Sequence, residues 1–213
     1  MHKTRQNISK LWPVPRKGTK YVIVPSHSHD NGIPLLVIMR DILKTVKTKK
    51  EMKKVLLEGE VLVNGKPERE ENVSLILFDT LSLKSEGKHY RLIYTINRKF
   101  GLKEINEKEI NEKIAKVTNK KVLKGSKSQI NFNDGRNLIS KEKVVVGDSV
   151  LINMKSKKIE KVISIKEKSK VIVIKGKHLG TSGVISQIED NKIVVKSHDK
   201  EFDIKNKEIM VVE

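Results

Sequence analysis

The sequence predicts an α+β, multidomain chain with helices near its beginning and short strands over most of its length. Residues 33–96 combine two apolar stretches of helical period with a tight hairpin and further β runs. From residue 120 onwards, short β runs are separated by Gly, Asn and Asp turns. A hydrophobic fraction of 37% over 213 residues supplies several small cores more readily than one large core.

The charge balance indicates an anionic partner. Lys and Arg number 45 against 26 Asp and Glu, which gives a formal net charge of +19. A compact chain repels itself at that charge, so we expect a nucleic acid, an acidic membrane or an acidic protein to neutralise it. The longest apolar runs, such as residues 34–39 and 74–78, are far too short to span a bilayer, so we expect no membrane partner.

Two absences bear on location. The basic start, MHKTRQNISKLW, has no apolar stretch and no small-residue cleavage site, so we expect no secretory signal. The chain has no cysteine, which leaves no disulfide framework and no Cys-ligated zinc. Both features favour a cytoplasmic protein.

Residues 1–32 are predicted to form a basic N-terminal arm. The segment WPVPRKGTKYVIVPSHSHDNG holds three prolines and many cations but few periodic apolar positions. This composition favours an extended arm on a partner over a packed element, with a free tail as the alternative. Trp12 lies among cations, where it can stack on a base or pack on its own domain; self-packing is favoured for one aromatic residue.

The first helix is predicted over residues 34–46. Pro34 suits a first helical turn, and Leu35, Met39, Ile42 and Val46 recur at helical spacing.

A second helix is predicted to begin after Thr48 and to stop at Gly59. Thr48 and Glu51 have the spacing of a capping box, and glycine suits the left-handed stop. Asn64-Gly65 then predicts a type I′ hairpin turn after a short strand over residues 60–63.

The two faces of the second helix differ. Met52, Val55 and Leu56 share one face, and a group of lysines, Lys50, Lys53 and Lys54, projects from the other. Together with the β runs VSLILFDTLSL and HYRLIYTI, this helix and hairpin predict a domain over residues 33–96.

The charged repeat KEINEKEINEK predicts a third helix. Asn106 and Glu109 can form a capping box, and Ile110, Ile114 and Val117 fall on one stripe. The runs KKVL, SQINF, RNLI, KVVVGDSVLINM and KVISI then predict a central β-rich domain over residues 97–168. Short strands with Gly-rich and Asp-Asn turns predict a small barrel over residues 169–213.

No catalytic pattern emerges. The chain lacks a GxxxxGK[ST] phosphate loop, a GxGxxG fingerprint and a GxSxG elbow. His27, His29 and Asp30 resemble metal ligands, but no third protein ligand is evident and a loop facing solvent or phosphate is favoured. Turn or cap roles suit Asp41, Asp79 and Asp134 better than general-base catalysis. We therefore expect no enzyme activity, no cofactor, no metal and no small-molecule substrate.

The cations are spread over every predicted domain, which favours a protein embedded along a large polyanion. No DNA-reading module is apparent, and lysine, the predominant cation, acts as a hydrated point charge that neutralises backbone more than it reads bases. Recognition of RNA by shape and backbone fits this pattern.

Several motifs carry a family resemblance. TKKEMKKVLLEGEVLVNGK resembles the helix-hairpin of the S4-type RNA-binding domain, and KVIVIKGKHLGTSGVISQI, with Gly176, Gly180 and Gly183, is similar to a KOW motif. WPVPRKGTKY, IPLLVIMRDILKTVKT, NDGRN and VGDSVLI complete, in order, a pattern that resembles the S4e family of small-subunit ribosomal proteins of archaea and eukaryotes. The length resembles archaeal members more than eukaryotic ones.

This resemblance implies an S4-type domain, a β-rich central domain and a small SH3-like KOW barrel. It implies a structural, ribosome-bound protein whose partners are small-subunit ribosomal RNA and neighbouring ribosomal proteins. The positions that it places at RNA are Trp12, Arg16, Lys17, Lys20, Arg40, Lys49, Lys50, Lys53, Lys54, Lys66, Lys175, Lys177 and His178. A KOW-containing transcription elongation factor and an RNA-modifying enzyme with an S4-type appendage are the alternatives.

Overall fold

Strands dominate the structure, a computed structural model that describes residues 2–125, 127–189, 192–197 and 200–212. The chain divides into an N-terminal unit, residues 1–111, and a C-terminal unit, residues 112–213. The structure is mostly β, with few helices and several sheets, so it confirms the predicted short strands over most of the chain. No helix in the described ranges is long and apolar enough to cross a membrane.

Residues 2–111, the described part of the N-terminal unit, form three antiparallel sheets. Its strands are β1 (His2–Thr4), β2 (Tyr21–Ile23), β3 (Gly32–Pro34), β4 (Val61–Val63), β5 (Lys66–Pro67), β6 (Ser74–Ile76), β7 (Thr80–Leu83), β8 (Lys88–Tyr94) and β9 (Phe100–Glu104). β1 pairs with β2, β3 pairs with β6, and the remaining strands form a sheet in the order β5-β4-β7-β8-β9. Fully buried side chains such as Ile33, Leu75, Leu81 and Leu92 supply this unit with its core.

The first helix is shorter than predicted. It consists of α1 (Leu35–Val37) followed by a π-helical turn, Ile38–Ile42, in which Leu43 N–H donates to Ile38 O at 2.9 Å. Lys44 then adopts a left-handed conformation with φ of 60°, which ends the helix before Val46. Val46 is nevertheless buried, so its apolar spacing reflects packing outside the helix.

The second helix and the hairpin are confirmed. α2 spans Lys49–Leu57, and Thr48 and Glu51 form the complete capping box: Glu51 N–H donates to Thr48 Oγ1 at 3.2 Å, and Thr48 N–H donates to Glu51 Oε2 at 3.3 Å. Asn64 and Gly65 have positive φ angles of 51° and 76°, as a type I′ turn between β4 and β5 requires.

Residues 2–32 are not an unpacked arm, which corrects the prediction. β1 pairs with β2, a 3₁₀ turn follows over Arg5–Asn7, and Val22 and Val24 are buried. The prolines lie outside these short elements, and apolar residues near them are still buried.

The predicted third helix is also wrong. A single 3₁₀ turn covers Glu107–Glu109, Asn106 makes no side-chain cap, and β10 spans Glu112–Val122. β10 pairs with one strand on each side, so hydrogen bonds between distant segments override the local helical pattern.

The described residues of the C-terminal unit form two five-stranded antiparallel sheets. Its further strands are β11 (Ser128–Phe132), β12 (Asn137–Ser140), β13 (Ser149–Asn153), β14 (Lys158–Ile163), β15 (Lys170–Val173), β16 (Ser182–Ile188), β17 (Lys192–Ser197), β18 (Lys200–Lys205) and β19 (Ile209–Val211). A 3₁₀ turn covers Asn206–Glu208. The sheet orders are β12-β11-β10-β13-β14 and β18-β17-β16-β15-β19, and each sheet encloses its own buried apolar cluster.

Lys116 links these two sheets within the C-terminal unit. It lies on β10 with only 4% exposure, and its ammonium group donates hydrogen bonds to the backbone carbonyls of Asn206 and Ile209. Next to it, Val211 N–H donates to Ser149 Oγ at 2.9 Å. Because a buried ammonium is costly without acceptors, these carbonyls make the burial of Lys116 tolerable.

Candidate nucleic-acid interface

Most of the cations that the resemblance places at RNA are exposed. Arg40 and His178 are half-buried, and Trp12 is buried. The exposed members are Arg16, Lys17, Lys20, Lys49, Lys50, Lys53, Lys54, Lys66, Lys175 and Lys177. Most of the charged groups are therefore accessible to a partner, whereas the aromatic side chain of Trp12 is buried.

Trp12 packs inside the N-terminal unit. Its side chain is 3% exposed, and its indole N–H donates to Gly32 O at 2.9 Å. A base cannot stack on a ring that is already covered, so self-packing, the favoured alternative, describes this residue.

The lysines of α2 are positioned by the helix itself. Met52 and Leu56 are buried at 0% and 2% exposure, which turns the opposite face to solvent and with it Lys50, Lys53 and Lys54. The capping box fixes where the helix starts and therefore which residues face outwards. The helix therefore presents a row of exposed lysines whose ammonium groups suit phosphate oxygens.

A cleft of about 840 Å³ lies beside α2. Lys49, Lys53 and Arg69 contribute cations to it, and His29 also lines it. Glu70 and Glu71 lie in the same cleft, and Lys49 Nζ approaches Glu71 Oε1 to 2.6 Å. Burial alone would raise the pKa of Glu71, but the hydrogen bond and charge of Lys49 lower it overall. Lys49 is thus partly neutralised by Glu71, and the positive charge of Lys53 also contributes to the lowered pKa of this carboxylate.

Arg40 is also partly neutralised. Its guanidinium forms a two-pronged pair with Asp41, with Nε to Oδ1 at 3.0 Å and Nη2 to Oδ2 at 2.9 Å. This side-chain hydrogen bond raises the pKa of Arg40 despite the opposing effect of burial. A phosphate at this position would have to compete with an internal carboxylate.

Arg5 holds a loop that carries three of the predicted cations, and the sequence pattern did not identify it. It donates from Nε to Thr19 O at 2.7 Å, from Nη1 to Pro15 O at 2.7 Å and from Nη2 to Thr19 Oγ1 at 2.9 Å. These bonds close the loop formed by residues 15–20, which carries Arg16, Lys17 and Lys20. In the sequence, an ordered turn is indicated here only by the prolines and Gly18. These residues do not identify Arg5 as the partner of the turn.

The predicted cations of the C-terminal unit flank a turn after β15. Lys175 and Lys177 are exposed, while the His178 ring packs against Phe202 with centroids 4.2 Å apart. Burial lowers the pKa of Lys116 to about 8, and the positive charge of Lys175 adds to this effect.

The three aspartates considered in the sequence have structural roles. Asp41 pairs with Arg40, and Asp79 accepts from Asn64 Nδ2 and Ile76 N–H, both at 2.7 Å. Asp134 forms a buried ion pair with Lys113. In the loop after β2, His27 Nδ1 lies 3.1 Å from Ser26 Oγ, and no group of three potential metal-binding side chains occurs among the residues that the structure describes.

Comparison with known proteins assigns the chain to a family. The protein-family model described as Ribosomal family S4e matches residues 86–159. Small ribosomal subunit protein eS4 of Methanocella arvoryzae is 32% identical over 220 residues, which cover 99% of this chain and 93% of that protein. The chain belongs to the S4e family.

Other S4e proteins show the same relationship. Small ribosomal subunit protein eS4 of Nanoarchaeum equitans is 33% identical over 185 residues, covering 85% of this chain and 79% of that protein. The crystal structure of the 30S ribosomal protein S4e from Thermoplasma acidophilum matches with a TM-score of 0.72 and 26% identity, covering 86% of this chain and 95% of that one.

Proposed function

We propose that this S4e chain is a structural constituent of the small ribosomal subunit, without catalysis. Its partners are small-subunit ribosomal RNA and neighbouring ribosomal proteins, and its location is the cytoplasmic ribosome. Membership of the S4e family and the +19 charge support this proposal. The use of Asp41, Asp79 and Asp134 in ion pairs and turns supports the absence of catalysis.

The observation that carries the RNA-binding mechanism is the outward face of α2. Lys50, Lys53 and Lys54 are exposed on a capped helix whose opposite face is buried. Such a preordered row neutralises phosphates with little loss of backbone entropy on binding. Lys66 at the hairpin, the loop with Arg16, Lys17 and Lys20, and Lys175, Lys177 and His178 are proposed as further contacts.

The same proposal assigns names to the regions. Residues 33–96 are an S4-type RNA-binding domain, preceded by the basic N-terminal segment of residues 1–32. Residues 97–168 are the central β-rich domain, and residues 169–213 are a KOW-type barrel. The α2-hairpin geometry supports the first assignment, and the five-stranded sheet with its separate apolar cluster supports the last.

A charge-neutralising triple variant tests the mechanism. Replacing Lys50, Lys53 and Lys54 with Gln should weaken binding to a small-subunit ribosomal RNA fragment and reduce the slope of log K against log salt by about 2 to 3. The matched control replaces Lys155, Lys157 and Lys158, which are exposed in the turn before β14 and at its first residue, with Gln. Equal losses in both variants would show that total charge matters and that the α2 face does not.

Sedimentation tests the location and the alternatives. We expect the protein to be present stoichiometrically in washed small subunits on a sucrose gradient. A pool bound to RNA polymerase would favour the elongation-factor alternative, and a free pool would favour the RNA-modifying enzyme.

A further inference from the structure

The loop formed by residues 15–20 is closed around a single side chain. The guanidinium of Arg5 bonds to Pro15 O and twice to Thr19, and Arg5 N–H donates to Lys20 O at 2.9 Å. Thr19 Oγ1 donates in turn to Tyr21 O at 3.1 Å. The loop therefore has a defined shape even though most of its side chains are exposed.

Gly18 shows how closely the loop fits this guanidinium. It has a φ of 144°, and a Cβ atom at this position would lie 2.9 Å from Arg5 Nη2. A side chain at residue 18 would push against Arg5 as well as strain the backbone. The loop and Arg5 thus form one interlocked unit.

A cleft of about 440 Å³ lies between this loop and the 3₁₀ turn that begins at Arg5. Its lining residues contribute four cations and neither a carboxylate nor an apolar side chain; they are Thr4, Arg5, Gln6, Arg16, Lys17, Gly18, Thr19 and Lys20. The cleft beside α2 is different, because Glu70 and Glu71 offset its cations. The concentration of positive charge without internal compensation indicates an anionic ligand.

We propose that this cleft is a preformed binding site for a phosphodiester group of RNA, and that Arg5 is the positioning residue that holds its loop in shape. That the phosphodiester belongs to RNA rests on the proposed function. Arg5 acts by fixing where Arg16, Lys17 and Lys20 are displayed, since its own N–H groups are largely occupied by the loop. Lys20 is further restrained, with its ammonium 5.4 Å from the centre of the Tyr21 ring.

The chemistry of the lining selects the ligand class. Several cations around one small cleft match the clustered oxygens of a phosphate better than a single carboxylate. A membrane surface would also require apolar side chains to enter the lipid, and the lining offers none. An RNA backbone needs only the cations and the backbone N–H groups of the loop.

Two substitutions disturb the loop without changing the charge. Arg5→Lys keeps the cation but cannot form the fork to Pro15 and Thr19, and Gly18→Ala disrupts the fit to Arg5. Lys10→Gln is the control, since it removes one exposed charge from the same segment but outside the cleft. Affinity for a small-subunit ribosomal RNA fragment is measured by fluorescence anisotropy at fixed salt on the full chain.

We expect Arg5→Lys and Gly18→Ala each to weaken binding about tenfold, and Lys10→Gln about twofold. The inference would be overturned if Arg5→Lys and Gly18→Ala bound the RNA fragment no more weakly than Lys10→Gln does. If either variant fails to fold, the double variant Arg16→Gln/Lys17→Gln is tested instead, because it leaves the hydrogen bonds of Arg5 intact. Its control is the double variant Lys10→Gln/Lys155→Gln, which removes two charges outside the cleft. A loss of RNA affinity no larger than in this control would also overturn the inference.

A second measurement separates this inference from the proposed function. Inorganic phosphate is titrated into the isotope-labelled full chain, and the amide signals of Gly18, Thr19 and Lys20 are followed by NMR. Saturable shifts in the wild type that are lost in Arg5→Lys support the phosphate site even if the RNA fragment does not bind. Absence of such shifts in the wild type overturns the site, whether or not RNA binds elsewhere.

Discussion

Lys113 and Asp134 form an ion pair in which 2.8 Å separates Nζ from Oδ2, and each side chain is only 2% exposed. Lys113 lies on β10, the middle strand of its sheet, and Asp134 lies in the turn between β11 and β12. Arg136 N–H also donates to Asp134 Oδ1 at 3.0 Å. The pair therefore ties a charged turn to the centre of the sheet.

Removing one partner of this pair should destabilise the C-terminal unit. Lys113→Met leaves the Asp134 carboxylate buried without its main countercharge, and we expect the free energy of unfolding to fall by about 3 kcal/mol. Urea denaturation of the full chain measures the change. Arg136→Gln is the control, because Arg136 Nε is 3.7 Å from the same carboxylate and its side chain is 42% exposed. Equal effects of the two changes would contradict a dominant role for the buried pair.

The same carboxylate predicts an acid dependence. Burial by itself raises the pKa of Asp134, but the charge and hydrogen bond of Lys113 lower it overall, to below its ordinary value. A lowered folded pKa contributes stability above the unfolded value, about 3.9, and loses it as the pH falls through the folded value. The stability gap between wild type and Asp134→Asn should therefore be full at pH 7 and shrink below about pH 4. Denaturation curves at pH 7 and below about pH 4 measure this stability gap. A gap that stays constant would contradict a lowered pKa of Asp134.

Lys116 predicts a change of the opposite kind at alkaline pH. Its folded pKa of about 8 lies below the ordinary value of 10.5, so the unfolded chain binds more protons between these values. Stability then rises with pH over this window, by at most roughly 3 kcal/mol. The advantage of the wild type over Lys116→Met should grow from pH 7 to pH 10 in urea denaturation. At pH 7 the variant should still lose about 1 to 3 kcal/mol, because the carbonyls of Asn206 and Ile209 lose their donor. A pH-independent difference would show that Lys116 keeps its proton throughout.

The capping box makes a local prediction. Thr48→Ala removes the acceptor of Glu51 N–H and should lower the free energy of unfolding by about 1 kcal/mol. Thr48→Ser retains a hydroxyl at the same place and should stay within about 0.5 kcal/mol of the wild type. Thermal and urea denaturation distinguish the two variants. Similar losses in both would mean that the methyl group of Thr48 matters more than its cap.

Local signals account for the parts of the fold that the sequence predicted well. Thr48, Glu51 and Gly59 define α2 through hydrogen bonds and backbone angles within a few residues, and Asn64-Gly65 defines its hairpin. The helix predicted from the repeat KEINEKEINEK is wrong for the opposite reason. Its stripe of Ile110, Ile114 and Val117 was compatible with a helix, but pairing with strands far along the chain decided the outcome.

In the candidate site, too, local sequence patterns predict some features and contacts between distant residues determine the others. The outward face of α2 follows from helical period alone, so Lys50, Lys53 and Lys54 could be placed from the sequence. The neutralisation of Lys49 by Glu71 and the closure of a loop by Arg5 depend on contacts across 22 and up to 14 positions, which no local pattern encodes. The burial of Lys113 and Lys116 on β10 could not be predicted from the sequence either, because their partners lie in turns far along the chain.

Trp12 gives the chain a spectroscopic reporter. It is the single tryptophan of the sequence, and its buried indole bonds to Gly32 O at the start of β3. Its fluorescence emission should therefore lie at short wavelength when the first 32 residues are docked and move to longer wavelength when they detach. Intrinsic fluorescence can thus follow the order of this segment in the free protein, during RNA titration and through unfolding, without any label.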